Sequence, residues 1–97
     1  EFKPQMIFIS AGFDGHYEDD MGGLKLLEKD YAWCTEHLKK LAAEMCDKRI
    51  VSMLEGGYVM TSLARSVGAH LRVLADLQCQ PPGLWCQALI SFRKRAG

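Results

Sequence analysis

The tightest constraint on this chain is a change of hydrophobic period, met twice in the same order. Met6-Ile7-Phe8-Ile9 is a continuous apolar run, and Ser10-Ala11-Gly12 closes it. A short continuous run bounded by turn residues is the signature of a strand buried on both faces. Residues 15 to 24 are rich in Gly, Asp and Glu and form a loop. From about Glu28 the spacing becomes three or four. Tyr31, Cys34, Leu38, Leu41 and Met45 then make one stripe of an amphipathic helix, with Lys39, Lys40 and Glu44 off it. Asp47-Lys48-Arg49 ends that helix. Ile50-Val51-Ser52-Met53-Leu54 repeats the strand signature until Glu55-Gly56-Gly57-Tyr58 breaks it. A second helix is predicted from about Ser62 to Leu77, with Leu63, Val67, Leu71 and Leu74 inward and Arg65, Arg72 and Asp76 outward. Strand-helix-strand-helix order predicts an α/β fold with a partial parallel sheet and a right-handed crossover.

At 97 residues the chain is one small domain or a piece of a larger one. A hydrophobic content of 48 % argues against disorder. The formal net charge is zero, which gives no support for nucleic acid or a membrane surface as a partner. No apolar run approaches the roughly 18 residues of a transmembrane helix. Glu1-Phe2-Lys3-Pro4 is no signal peptide, and a start at Glu1 suggests a natural start upstream. Cys34, Cys46, Cys79 and Cys86 show no CxxC pairing, so they do not read as a structural zinc site. Buried free thiols in a reducing cytoplasm are the expectation. After Leu77 the character shifts. Gln78 to Gly83 is turn-rich, Leu84 to Phe92 is apolar, and Arg93-Lys94-Arg95 closes the chain as a solvated end. The chain therefore divides into residues 1–77 and a divergent tail, 78–97, with a short helix packing back as one option for the tail.

Ligands of open parallel sheets collect outside the carboxyl ends of the strands. This chain has two such ends, Gly12-Phe13-Asp14 and Glu55-Gly56-Gly57-Tyr58. Parallel strands put a carboxylate and a phenol on one rim. Each also has a plainer reading. Asp14 could make an Asx-turn, Gly56-Gly57 could be a tight strand-to-helix turn, and Tyr58 could be a packing residue with a wet hydroxyl. A phosphate cradle at Gly56-Gly57 would match neither GxGxxG nor the P-loop spacing.

Ile9-Ser10-Ala11-Gly12-Phe13-Asp14-Gly15-His16, followed by Glu18-Asp19-Asp20-Met21, resembles the SAGFD-x-H-x-x-D motif of the histone deacetylase superfamily. Leu54-Glu55-Gly56-Gly57-Tyr58 is similar to that family's LEGGY motif, in the right order and at a fitting distance. Asp30-Tyr31-Ala32-Trp33 and Leu63-Ala64-Arg65-Ser66-Val67 extend the likeness, which covers residues 2 to 77 and looks nearest to bacterial, class-II-like members such as acetylpolyamine amidohydrolases. The resemblance implies a C-terminal segment of the arginase/deacetylase-like three-layer fold. It implies that Asp14 is a zinc ligand and that Tyr58 is the catalytic phenol that stabilises the oxyanion of an acetyl-amide substrate. Gly56 and Gly57 would let the backbone approach the acyl group, and Met21 would line the acyl-lysine tunnel. Asp19 matches a structural acidic position. His16 sits two residues from the implied ligand, but the family's ligating histidine lies in a different motif, a separate Asp-x-His, so His16 is read as a supporting residue. His37 and His70 receive no chemistry.

The paired catalytic histidines do not occur in this sequence, and its one Asp-x-His string, Asp14-Gly15-His16, lies inside the first motif, so the family's separate Asp-x-His ligands are absent from it. One carboxylate cannot hold a catalytic zinc, for which three protein ligands are the norm. Two strands buried on both faces also need more cover than two helices give, which predicts burial by self-association as a homo-oligomer. Three readings follow: a segment of a zinc-dependent deacetylase acting on acetyl-lysine or acetylpolyamines, inactive in isolation; a non-catalytic remnant folding as an oligomer; or a small-molecule-binding α/β module.

Overall fold

A computed structural model describes residues 2–77. The element order is β1 (Ile7–Ala11), α1 (Glu28–Met45), β2 (Ile50–Leu54) and α2 (Met60–Leu74). The expectations for residues 78–97, including Cys79, Cys86 and the basic triplet, lie outside the described residues. No helix among the described residues is long and apolar enough to cross a membrane.

The strands pair in parallel, Ile7 opposite Ile50 through Ala11 opposite Leu54. β2 has the predicted bounds. β1 starts one residue later than the apolar run and continues through Ser10 and Ala11. Pairing rather than side-chain apolarity extends it: Ser10 and Ala11 face Met53 and Leu54, and the Glu55 N–H donates to the Ala11 carbonyl at 3.0 Å.

Among the described residues the strands are covered on one face. Ser52 of β2 hydrogen-bonds His70 of α2, which bonds Thr35 of α1, so both helices lie over one face. Ile7, Ile9, Ile50 and Ser52 alternate with the more exposed Phe8, Ser10, Val51 and Met53. A period of two is what one covered face imposes on a strand.

The first turn of α1 is fixed by Asp30, whose carboxylate accepts the Leu27 N–H at 2.8 Å. Glu28 and Asp30 also complement the helix dipole. At the other end the N–H groups of Cys46 and Lys48 both donate to the Ala42 carbonyl. Asp47 and Lys48 take φ of 53° and 62° there, so the helix stops where the sequence predicts. The predicted stripe is rotated, however. The inward residues are Tyr31, Thr35, Leu38, Ala42 and Cys46, whereas Cys34, Leu41 and Met45 are exposed. Cys46 is therefore a buried free thiol and Cys34 an exposed one.

α2 opens two residues before the predicted start and ends at Leu74, where Ala75 caps it. Its most buried side chains are Ser62, Ser66 and His70, spaced four apart, and Leu63, Val67, Leu71 and Leu74 are only half-buried. Small residues on both helices, Thr35 and Ala42 of α1 and Ser62 and Ser66 of α2, are among the most buried of the described residues. Arg65 and Asp76 face outward as predicted, while Arg72 is half-buried.

Candidate active site

Parallel pairing carries the two strand ends to one edge of the sheet. Beyond the last ladder pair the Phe13 N–H donates to the Gly56 carbonyl at 2.7 Å, so the two exit loops are joined backbone to backbone. Asp14 and Tyr58 leave from this junction.

Gly56 explains itself by distance. A Cβ built on it would stand 2.6 Å from Asp14 Oδ1 and 2.9 Å from its Cγ. The Asp14 carboxylate thus lies against bare backbone, in the close approach that only glycine permits. Gly57 has a φ of 138°, and a Cβ there would meet Leu63 Cδ1 at 2.5 Å. The strand-to-helix turn consequently needs both glycines for separate reasons. Gly22, to which the sequence drew no attention, packs flat on the Asp14 peptide. Its N–H donates to the Asp14 carbonyl at 3.1 Å, and a Cβ would stand 2.2 Å from that oxygen.

Asp19 is buried and ties one loop to the other. Its Oδ1 accepts the Met21 N–H at 3.0 Å and its Oδ2 accepts the Tyr58 N–H at 2.8 Å. The Tyr58 bond, then the Met21 bond, holds the Asp19 carboxyl below the usual carboxylate range. Tyr58 is held by its backbone while its ring projects from the surface, 61 % exposed. Met21, also exposed, lies on the same loop system. The Asp14 carboxylate is half-buried, and no hydrogen bond engages it among the described residues. Tyr31 borders it. Burial first, and then the Asp14 charge, raises the Tyr31 phenol above its ordinary value.

His16 is buried. The Glu18 N–H donates to its Nδ1 at 3.0 Å, which leaves the proton on Nε2 to be donated to Glu28 Oε1 at 3.1 Å. The Arg65 Nε also donates to Glu28 Oε1, at 2.6 Å, and Arg65 pairs with Glu18 through its other end. The Arg65 hydrogen bond dominates in pulling Glu28 down to about 2. Donor atoms of His16, Glu18 and Glu28 all lie within 4.8 Å of one another, a spacing that could hold a metal ion. Arg65 already lies on both carboxylates, so the group is an ion-pair network that fastens the Asp14 loop to α1 and α2. His37 is exposed and donates from Nδ1 to the Trp33 carbonyl.

The site needs an oxygen ligand for any metal, and Asp14 fits that part: a half-buried carboxylate free of protein hydrogen bonds. Among the described residues Asp14 belongs to no group of three possible ligands, so the residues present supply part of a set.

The histone deacetylase domain family matches residues 1–74. The chain belongs to the histone deacetylase family. Among its deacetylase relatives, type-2 histone deacetylase 2 of Dictyostelium discoideum is 50 % identical over 78 residues, 77 % of this chain and 5 % of that protein. A probable deacetylase of Archaeoglobus fulgidus is 47 % identical over 58 residues, 60 % of this chain and 16 % of that protein. The crystal structure of the HDA15 HD domain superimposes with a TM-score of 0.66 at 28 % identity, covering 92 % of this chain and 24 % of that one. The histone deacetylase Clr3, at 24 % identity and a TM-score of 0.68, shares the fold over 95 % of this chain and 15 % of its own. The described elements are accordingly a fragment of the deacetylase fold, and the chain spans a small part of each relative's length.

Proposed function

We propose that this chain is the C-terminal segment of a zinc-dependent deacetylase domain that hydrolyses the acetyl-amide bond of an acetylated amine, acetyl-lysine or an acetylpolyamine, and that it is inactive in isolation. The observation that carries the reading is the joining of the two motif loops at one sheet edge, with the Asp14 carboxylate seated on Gly56 and the Tyr58 backbone fixed by Asp19. Asp14 would hold the metal together with ligands from segments that this chain does not span. When bound, zinc supplies a Lewis acid for the acyl oxygen and lowers the pKa of water. Tyr58 would donate its phenol proton in a hydrogen bond to the acyl oxygen as negative charge develops there, a role worth ~3 kcal/mol where single oxyanion donors have been removed. Met21 would line the passage taken by the acyl chain, and Gly56 and Gly57 keep that passage free of side chains.

The test is a chimera. Residues 2–74 replace the corresponding segment of a deacetylase whose turnover on a fluorogenic acetyl-lysine peptide is measured first. Turnover and stoichiometric zinc are expected to persist, with turnover lost in Tyr58→Phe and zinc lost in Asp14→Asn. A folded chimera that is indifferent to both substitutions refutes the reading.

A second reading has its own observation. Phe8 and Met53 are 63 % and 48 % exposed on the sheet face away from the helices, and among the described residues no further strand pairs with either edge of the two-stranded sheet. The isolated chain is expected to bury that face by self-association, so light scattering should return a dimer or larger species. A stable monomer would refute this second reading.

A further inference from the structure

His70 is buried between three elements and is bonded at both ring nitrogens. Its Nδ1 lies 2.7 Å from Thr35 Oγ1 of α1, and its Nε2 lies 2.8 Å from Ser52 Oγ of β2. The direction of each bond follows from one neighbour. Thr35 gives its own hydroxyl proton to the Tyr31 carbonyl at 2.6 Å. Its oxygen therefore accepts from His70, which places the ring proton on Nδ1. His70 Nε2 is then bare and accepts from Ser52. The chain runs Ser52 to His70 to Thr35 to the Tyr31 carbonyl, with each donor matched to one acceptor. This direction of the Ser52 bond belongs to the neutral imidazole; a doubly protonated ring would reverse it and donate to Ser52 Oγ.

The ring also makes an edge contact with Phe13, centroids 5.6 Å apart at 65°, and Phe13 contacts Tyr31 on its other side at 5.0 Å. Phe13 is 3 % exposed and immediately precedes Asp14. We propose that His70 is a latch for the sheet edge: as a neutral ring it fixes α1, β2 and Phe13 at once, and protonation releases the loop that begins at Asp14.

A second ring proton would turn Nε2 into a donor, force the Ser52 hydroxyl to point its own proton elsewhere, and place a charge in a buried site. α1 presents Thr35 and Tyr31 to the ring, β2 presents Ser52, and the loop after β1 presents Phe13. None of these is charged, and burial alone depresses the His70 pKa below its ordinary value. The latch itself is independent of the deacetylase reading. Only its effect on a metal ligand rests on that reading.

Long-range ¹H–¹⁵N spectra of the chain, from pH 8 to 5, test the proposal without zinc or turnover. The expected result is the Nδ1-protonated tautomer at pH 7.5, with protonation delayed to below the free-histidine value of about 6.5. The Phe13 and Asp14 amides should shift in step with the ring. In parallel, the urea midpoint should fall as pH drops from 6.5. His70→Gln should lose at least half of that fall. Should His70→Gln fail to fold, the spectra of the unaltered chain decide alone. A Nε2 tautomer, protonation at or above pH 6.5 in the folded chain, or silent Phe13 and Asp14 amides would overturn the latch. Failure of the deacetylase chimera would leave these spectra unaffected.

Discussion

Replacing Gly22 by alanine adds one methyl group at the point where the two walls of the Asp14 loop touch. The new carbon would stand 2.2 Å from the Asp14 carbonyl oxygen and 2.6 Å from the carbonyl carbon. Carbon–oxygen contacts settle near 3.3 Å or beyond, so the walls must part by roughly 1 Å. Both obstructing atoms are backbone and cannot swing aside. Opening the loop by ~1 Å would stretch the Gly22 N–H bond to the same carbonyl, now 3.1 Å, beyond useful hydrogen-bond range. Overpacking of this kind costs about 1–3 kcal/mol, and the lost bond adds about 0.5–1.5 kcal/mol. A total near ~3 kcal/mol is a large share of the ~5–15 kcal/mol expected for a domain of this size. With a urea slope of ~1.5 kcal/mol/M the midpoint should drop by about 2 M. Gly23→Ala is the control. Its φ of 68° is left-handed, but no atom lies within 4 Å, so only the conformational cost of about 1 kcal/mol applies. Equal midpoints for Gly22→Ala and the unaltered chain, or a larger loss for Gly23→Ala, would refute the packing argument.

Two further outcomes follow from the charged residues around the loop. Glu28 has a folded pKa of about 2, below its ordinary 4.5. Its contribution to stability is therefore full above pH 4.5 and declines as pH falls from 4.5 toward 2. Arg65→Ala should raise that pKa toward the ordinary value and flatten the decline, as read by carboxylate NMR titration and acid unfolding, and added salt should shrink the difference because the pair is partly exposed. Asp19→Asn replaces one acceptor oxygen by an N–H₂ donor that must face a backbone N–H of Met21 or Tyr58. It should lower the thermal midpoint and speed amide exchange at one of those two residues. Unchanged exchange at both would refute the tie.

The strand and helix order, the parallel pairing and the glycine-bounded strand ends could all be read from periodicity and motif spacing. The helix faces were less legible. In α1 apolar residues lie on both sides, so Cys34, Leu41 and Met45 formed a stripe as regular as the one that is buried. The choice was made by Thr35 and Ala42, which are small enough to be enclosed between the elements, Thr35 against His70. Size at an interface is a pairwise property, and one helix read alone does not reveal it. His70 was passed over for the same reason: its partners are 35 and 18 residues away in sequence. The spacing Ser62, Ser66, His70 was the available signal, a polar stripe at helical period beside an apolar one. Gly22 was hidden because loop glycines are common and its partner, the Asp14 peptide, is defined only once the loop closes. The strands misled in the opposite sense. Uninterrupted apolar runs suggested cover on both faces, whereas two helices on one side leave Phe8, Val51 and Met53 uncovered.

The Asp19 tether has a consequence for how such a sequence can change over generations. Because a carboxylate in the first motif supplies the acceptor for the Tyr58 amide in the second, the two loops keep one spatial register although 39 positions separate the bonded residues. A recombination breakpoint falling between them would join loops selected in different backgrounds. A change of Asp19 is therefore felt at Tyr58, whereas the outer surface of α1 is exposed and can change without disturbing this pair.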